Sequence, residues 1–232
     1  MRNRFFELDG QAFVIASANG SGGNGPTEQA ELTMARLRQD LEKVGSRFEN
    51  ILRIVVYMKS REIWDTVGKV RQKVFVPWET RPGSASIFVE EFPHEDALVG
   101  IEATAMVRTE IISKRGIEYE PARAYLRALV SGPFVFLSGT GGQGATEGAQ
   151  AQSSFESLGA CLESQGSSLR DIRRVTIFLK RLEAMGDASR VFQRLFKEPR
   201  PYVEFVPATG FARDEMLVEI QGTAVVKRSP TA

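Results

Sequence analysis

The chain has 232 residues, 42% apolar and 25% charged, with a formal net charge of +1 at pH 7. That is an ordinary globular composition, and it excludes a basic footprint for nucleic acid or an anionic membrane. A single cysteine, Cys161, excludes an internal disulfide, and no apolar run approaches the roughly 20 residues of a bilayer span. The start "MRNRFFELDG" lacks the apolar core of a signal peptide, so a cytoplasmic location is expected.

Two short apolar runs around Asp9-Gly10 predict a hairpin, and a glycine loop, Gly20 to Gly25, follows. Met34, Leu37, Leu41 and Val44 recur at helical spacing and stop at Gly45. "NILRIVVYMK" reads as a strand, Trp64, Val67, Val70 and Val74 as a second helix, and "ASIFVEEF" and "LVGIEATAMV" as two closing strands.

The pattern then repeats. A shift of 121 places Val14 on Val135, Ser17 on Ser138, Leu37 on Leu158 and Gly45 on Gly166; after a two-residue deletion a shift of 119 places Arg81-Pro82 on Arg200-Pro201 and Leu98-Val99 on Leu217-Val218. The second copy has strands around Ser131-Gly132, a helix with Phe155, Leu158 and Leu162, the strand "DIRRVTIFLK", and a helix with Met185, Ala188, Val191 and Leu195. The expected fold is α+β: two tandem ββαβαββ units, each with its helices on one face of a sheet. The expected boundaries are a first domain at 1–112, a connector at 113–122 and a second domain at 123–232. Phe134, Phe136, Ile177 and Leu179 are expected on the face without helices, as apolar groups in need of cover.

"GTGGQG", residues 139–144, matches the dinucleotide pattern G-x-G-x-x-G. The acidic residue that should end the next parallel strand is missing, because that strand ends in Lys180. Read instead as a P-loop, the stretch carries Ala145 where the lysine belongs. In the first copy "GSGGNG" has the same spacing, with its helix delayed by Pro26. The simpler reading is a glycine-rich strand-to-helix loop, and no cofactor is expected. His94 stands in a polar turn without a second ligand beside it, so no metal site is expected, and Cys161 adjoins an apolar helix stripe as a buried thiol would.

A strand ending in Ser-Gly, a helix opened by Gln-Ala, "GSSLRDIRRVTIFLK", an Arg-Pro turn and the final "LVEIQGTAVV" together resemble the RidA/YjgF family of reactive-intermediate deaminases, across both halves. The resemblance implies a chorismate-mutase-like fold in each unit and hydrolysis of small enamines and imines to ketones and ammonia. It also implies association in threes, hence a homotrimer of six units. Carried over by position, it makes Glu219 and Tyr125 catalytic candidates and Ser138 and Gly139 substrate-binding ones; the first copy has Gly100, Arg4, Ser17 and Ala18 there. The family's carboxylate-gripping arginine is replaced by Ser84 and Val203, which implies a non-standard substrate.

Alternation supports part of this. Glu219 shares a strand face with Leu217 and Gln221, and Arg127 should share Tyr125's face, where it could supply the missing charge. Each of these residues is otherwise an ordinary surface group of a strand. The alternative function is a non-catalytic binding or scaffold protein, supported by the decay of the first copy. RNA cleavage is disfavoured by the lack of a basic stripe. The expected partner is a small molecule, with no nucleic acid and no membrane.

Overall fold

The computed structural model describes residues 3–75, 80–118 and 126–226. The chain divides after Arg115 into two compact units.

Unit 1 contains β1 (Arg4–Leu8), β2 (Gln11–Asn19), α1 (Gly25–Lys43), β3 (Ile51–Met58), α2 (Trp64–Phe75), β4 (Gly83–Phe88) and β5 (Val99–Met106). The strands run in the order β1-β2-β5-β3-β4, with β3 parallel to β4 and the other neighbours antiparallel. Asp9 and Gly10 turn the first hairpin with φ of 48° and 71°, the left-handed pair that a tight type I′ turn requires. Pro26 does not delay α1: it occupies the first turn of a helix that already begins at Gly25, where a missing N–H costs nothing.

Unit 2 repeats this as β7 (Leu126–Ser131), β8 (Phe134–Gly141), α3 (Glu147–Glu163), β9 (Ile172–Leu179), α4 (Met185–Leu195), β10 (Tyr202–Pro207) and β12 (Val218–Val225). Two short strands are added, β6 (Arg115–Glu118) and β11 (Gly210–Phe211). Its sheet order is β10-β9-β12-β8-β7-β6, the order of unit 1 with one strand added at the β7 edge. The stretch expected to be a plain connector therefore carries β6. Asn50 holds the preceding segment: its Nδ2 donates to the carbonyls of Arg108 and Glu110, and its Oδ1 accepts from the Ile112 amide.

In each unit the helices cover one sheet face. Val14, Ala16, Ile54, Val56, Ile101 and Ala103 meet Met34, Leu37, Leu41, Val67 and Val70 in the first core. Val135, Leu137, Val175, Ile177, Leu179, Val218 and Ile220 meet Phe155, Leu158, Leu162, Val191 and Phe192 in the second. Met185, expected on the buried stripe of α4, is 43% exposed, and Phe192 takes that role.

The expectation of an uncovered apolar face needs correcting. Ile177 and Leu179 belong to the helix-side core. Phe134 and Phe136 do lie on the opposite face, yet they are 1% and 0% exposed. No bare apolar surface at these four residues calls for a second chain.

Candidate active site

Both glycine loops are shut by one glutamine each. Gln29 and Gln150, at corresponding positions, are each 2% exposed. Gln150 donates from Nε2 to the carbonyls of Gly144 and Glu215 (3.0 and 2.9 Å), while its Oε1 accepts from the amides of Leu217 and Val218 (2.8 and 3.3 Å). Gln29 does the same for Gly23, Asp96 and Leu98. Close approach explains one glycine in each loop: a Cβ on Gly142 would lie 1.9 Å from the Gln150 carbonyl oxygen, and one on Gly20 would lie 2.3 Å from Gln29 Cβ. In the first loop the Gly22 amide is taken by Asp96 and that of Gly20 by the Val99 carbonyl. A loop whose amides point at protein oxygens, one of them a carboxylate, is a structural clasp, not a phosphate cradle.

Glu219 lies on β12 opposite Gly141 of β8 and Phe178 of β9. Its neighbours Val218 and Ile220 face the helices, so alternation turns Glu219 to the other face, where it is 5% exposed. Ser138 shares that face, because Leu137 points to the helices; it is 1% exposed and donates to the Leu126 carbonyl at 2.6 Å. Gly139 follows Ser138, at the point where β8 slips register against β12 between Ile220 and Gly222. Tyr125 lies outside the described residues.

Arg127 reaches across to α3. Its guanidinium donates to the carbonyl and hydroxyl of Ser157 on α3, at 3.1 and 3.2 Å, and so serves the helix layer. A cation on Glu219's face is Arg174, in register with Thr223, which the spacing of "DIRRVTIFLK" could have shown had the strand pairing been known. Arg174 pairs with Glu204 at 2.6 Å and lies 5.7 Å from the centre of the Tyr202 ring. Val203 packs toward the helix-side core, so in unit 2 the position of the missing arginine and Glu219 look to opposite faces.

Gln221 completes the polar face. It is 2% exposed, and its Oε1 accepts no hydrogen bond from the described residues. Thr176 and Thr223, 5% and 1% exposed, flank it. Buried carboxylate, carboxamide and hydroxyl groups on neighbouring strands can hold water and small polar ligands, because each is costly to bury without a partner.

Other titratable groups have structural surroundings. Arg181 donates to Glu147 at the start of α3 through Nε and Nη2, at 2.6 and 2.8 Å, and these bonds hold the carboxyl below its usual pKa. Burial pushes the Cys161 thiol up, away from nucleophilic use. Among the described residues no group of three or more His, Cys, Asp and Glu side chains could hold a metal ion, and no helix is long and apolar enough to cross a membrane.

Comparison with known proteins follows this duplicated geometry. The model of the family described as Endoribonuclease L-PSP matches twice, at residues 2–107 and 117–226. A RutC family protein of Pyrococcus horikoshii is 27% identical over 113 residues, which is 45% of this chain and 89% of that protein; one of Pyrococcus abyssi is equally similar. Among solved structures, a YjgF-family member from Mycobacterium tuberculosis is 29% identical, covering 49% of this chain and 100% of its own, with a TM-score of 0.46. RidA from an Antarctic Psychrobacter is 24% identical, covering 48% of this chain and 99% of its own, with a TM-score of 0.45. Each relative is thus about the length of one unit. With two family matches that span most of both units, the chain belongs to the Endoribonuclease L-PSP family, that of the RidA and YjgF proteins, and carries its domain in tandem.

Proposed function

We propose that the protein is a RidA-type hydrolase of a small imine or enamine, with unit 2 supplying the chemistry. The observation that carries this reading is the 5% exposure of Glu219 on the face it shares with Ser138 and Gln221. A glutamate so placed is not an ordinary solvated strand residue, and burial beside polar groups is the setting in which a carboxylate serves as general base.

In the proposed reaction Glu219 takes a proton from water as its oxygen bonds to the imine carbon. The same proton then passes to nitrogen, and the carbinolamine collapses to a ketone and ammonia. The Gln221 carboxamide oxygen supports the reading as an acceptor suited to the substrate's N–H. Tyr125, by the family likeness, would orient substrate or water. Because Ser84 and Val203 stand where the family's arginine is expected, we propose a substrate other than the usual amino-acid-derived enamine for this site.

The test is ammonia and ketone release from 2-aminoacrylate generated in place, compared with imines that lack a carboxylate. The carboxylate-free imines should turn over faster, and Glu219→Gln should lower kcat about 100-fold or more. Faster turnover of 2-aminoacrylate would overturn the altered substrate, and an unaffected variant would overturn the role of Glu219.

A further inference from the structure

Glu219 stands between two apolar walls. On one side is Phe178 of β9, in register with Glu219 and 0% exposed. Its neighbours Ile177 and Leu179 belong to the helix-side core, so alternation turns Phe178 to Glu219's face. On the other side β8 offers Gly141, directly opposite Glu219. Paired residues of antiparallel strands share a face, with Cβ positions about 4.5–5.5 Å apart. A Cβ on Gly141 would lie 2.4 Å from Met216 Cε and 3.0 Å from its Sδ, so the Met216 thioether fills the place of that absent side chain, next to Glu219.

The glutamine clasp sets Met216 there. Gln150 donates to the carbonyl of Glu215 and accepts from the amide of Leu217, the residues on either side of Met216. The backbone is thereby tied to α3, while the thioether, 3% exposed, keeps the rotations of an unbranched chain. In the other copy Gln29 grips Asp96 and Leu98 in the same way, but the residue between them is Ala97. The internal registers also set Gly100 on Glu219 and Tyr57 on Phe178. Carboxylate, thioether and phenyl ring thus occur together in unit 2, and none of them in unit 1. A thioether and a phenyl ring offer a ligand no strong hydrogen bond, and what they reward is the removal of carbon from water.

We propose that Met216 is a specificity-determining residue of the unit 2 site, and that the substrate is an imine or enamine with a bulky apolar group, which packs against Met216 and Phe178 while Glu219 serves the reacting carbon. The inference rests on the hydrolase reading of Glu219 and adds to it the apolar half of the substrate. A methionine also suits a wall that must part to admit its ligand.

The test compares the imines of acetone and of cyclohexyl methyl ketone, generated in place by oxidising the parent amines, with ketone release by the full chain divided by the spontaneous rate. The wild-type kcat/KM should favour the cyclohexyl imine at least about tenfold, the gain from burying one more apolar group. Met216→Gln, of similar length but polar, should lose most of that preference through a higher KM for the cyclohexyl imine, and Met216→Leu should keep it. Met216→Ala takes the place of Met216→Gln if the latter does not fold by circular dichroism. Equal or reversed kcat/KM for the two imines, in a wild type that Glu219→Gln inactivates, would overturn the apolar substrate and leave the hydrolase reading standing. A preference that survives in Met216→Gln would overturn the role of Met216. If the wild type accelerates neither imine, the hydrolase reading falls, and calorimetric titration with cyclohexyl methyl ketone decides the pocket by itself. Binding weakened in Met216→Gln and kept in Met216→Leu would support it; no binding, or equal binding in wild type and Met216→Gln, would overturn it.

Discussion

Glu147 shows how much one side chain can depend on a partner from another element. It opens α3 with its carboxylate 2% exposed, and Arg181 reaches it with two hydrogen bonds while remaining 64% exposed itself. Its pKa is lower in the folded chain than in the unfolded one, chiefly through the Arg181 bonds. The stabilisation is therefore complete above the unfolded carboxyl value of about 4.3 and fades as pH falls through the folded value. Glu147→Gln should cost about 1.5–3 kcal/mol at pH 7. Urea titrations at decreasing pH should show wild type and variant converging as the medium becomes acidic. Such pairs were not legible in the sequence, because residues 147 and 181 meet only after a helix and a strand have been folded. Arg127 shows the limit of alternation, which fixes where a strand side chain starts, while a long arginine can still reach the helix layer. Glu219 could be read because its apolar neighbours Val218 and Ile220 mark the face it avoids.

At the scale of elements, the two glutamine clasps are the features both units retain. Gln150 ties the loop after β8 to the entry of β12, and Gln29 ties the loop after β2 to the entry of β5. Replacing Gln150 by Leu leaves the Leu217 amide and the Glu215 carbonyl without this partner, at about 1–3 kcal/mol for each group that stays buried. Denaturant midpoints should fall for Gln150→Leu and likewise for Gln29→Leu. Helices and strands were legible because their periods of 3.6 and 2 are written in the apolar residues, and the C-terminal stops at Gly45 and Gly166 have φ of 73° and 70°. In the sequence the glutamines stand only as part of "Gln-Ala" and its counterpart; their work as clasps needs the distant backbone at the entry of the last strand. β6 was missed because "RGIE" is too short and too polar to show a period.

For the molecule as a whole, the repeat in sequence is a repeat in topology, with strand orders that match over five strands of each unit. That much followed from the register alone, since equal spacing of strands, helices and stops leaves few ways to build two different sheets. Assembly is another matter. Family likeness points to threes, and we expect a scattering mass three times the 25.7 kDa of one chain. A mass of one chain would refute this, and the burial of Phe134 and Phe136 within the single chain leaves that measurement to decide.

The near-collision of Gly142 with the Gln150 carbonyl has a further consequence. Side by side, the two copies have exchanged tyrosine for arginine and glutamate for glycine, yet each loop keeps one glycine, Gly20 or Gly142, pressed against the backbone of its own glutamine. A backbone so close forbids a side chain at that glycine, however much the residues around it diverge. Each copy thus serves as the other's ruler: a position that differs between them is a place to look for specialised purpose, and one that agrees is a hinge pin of the architecture.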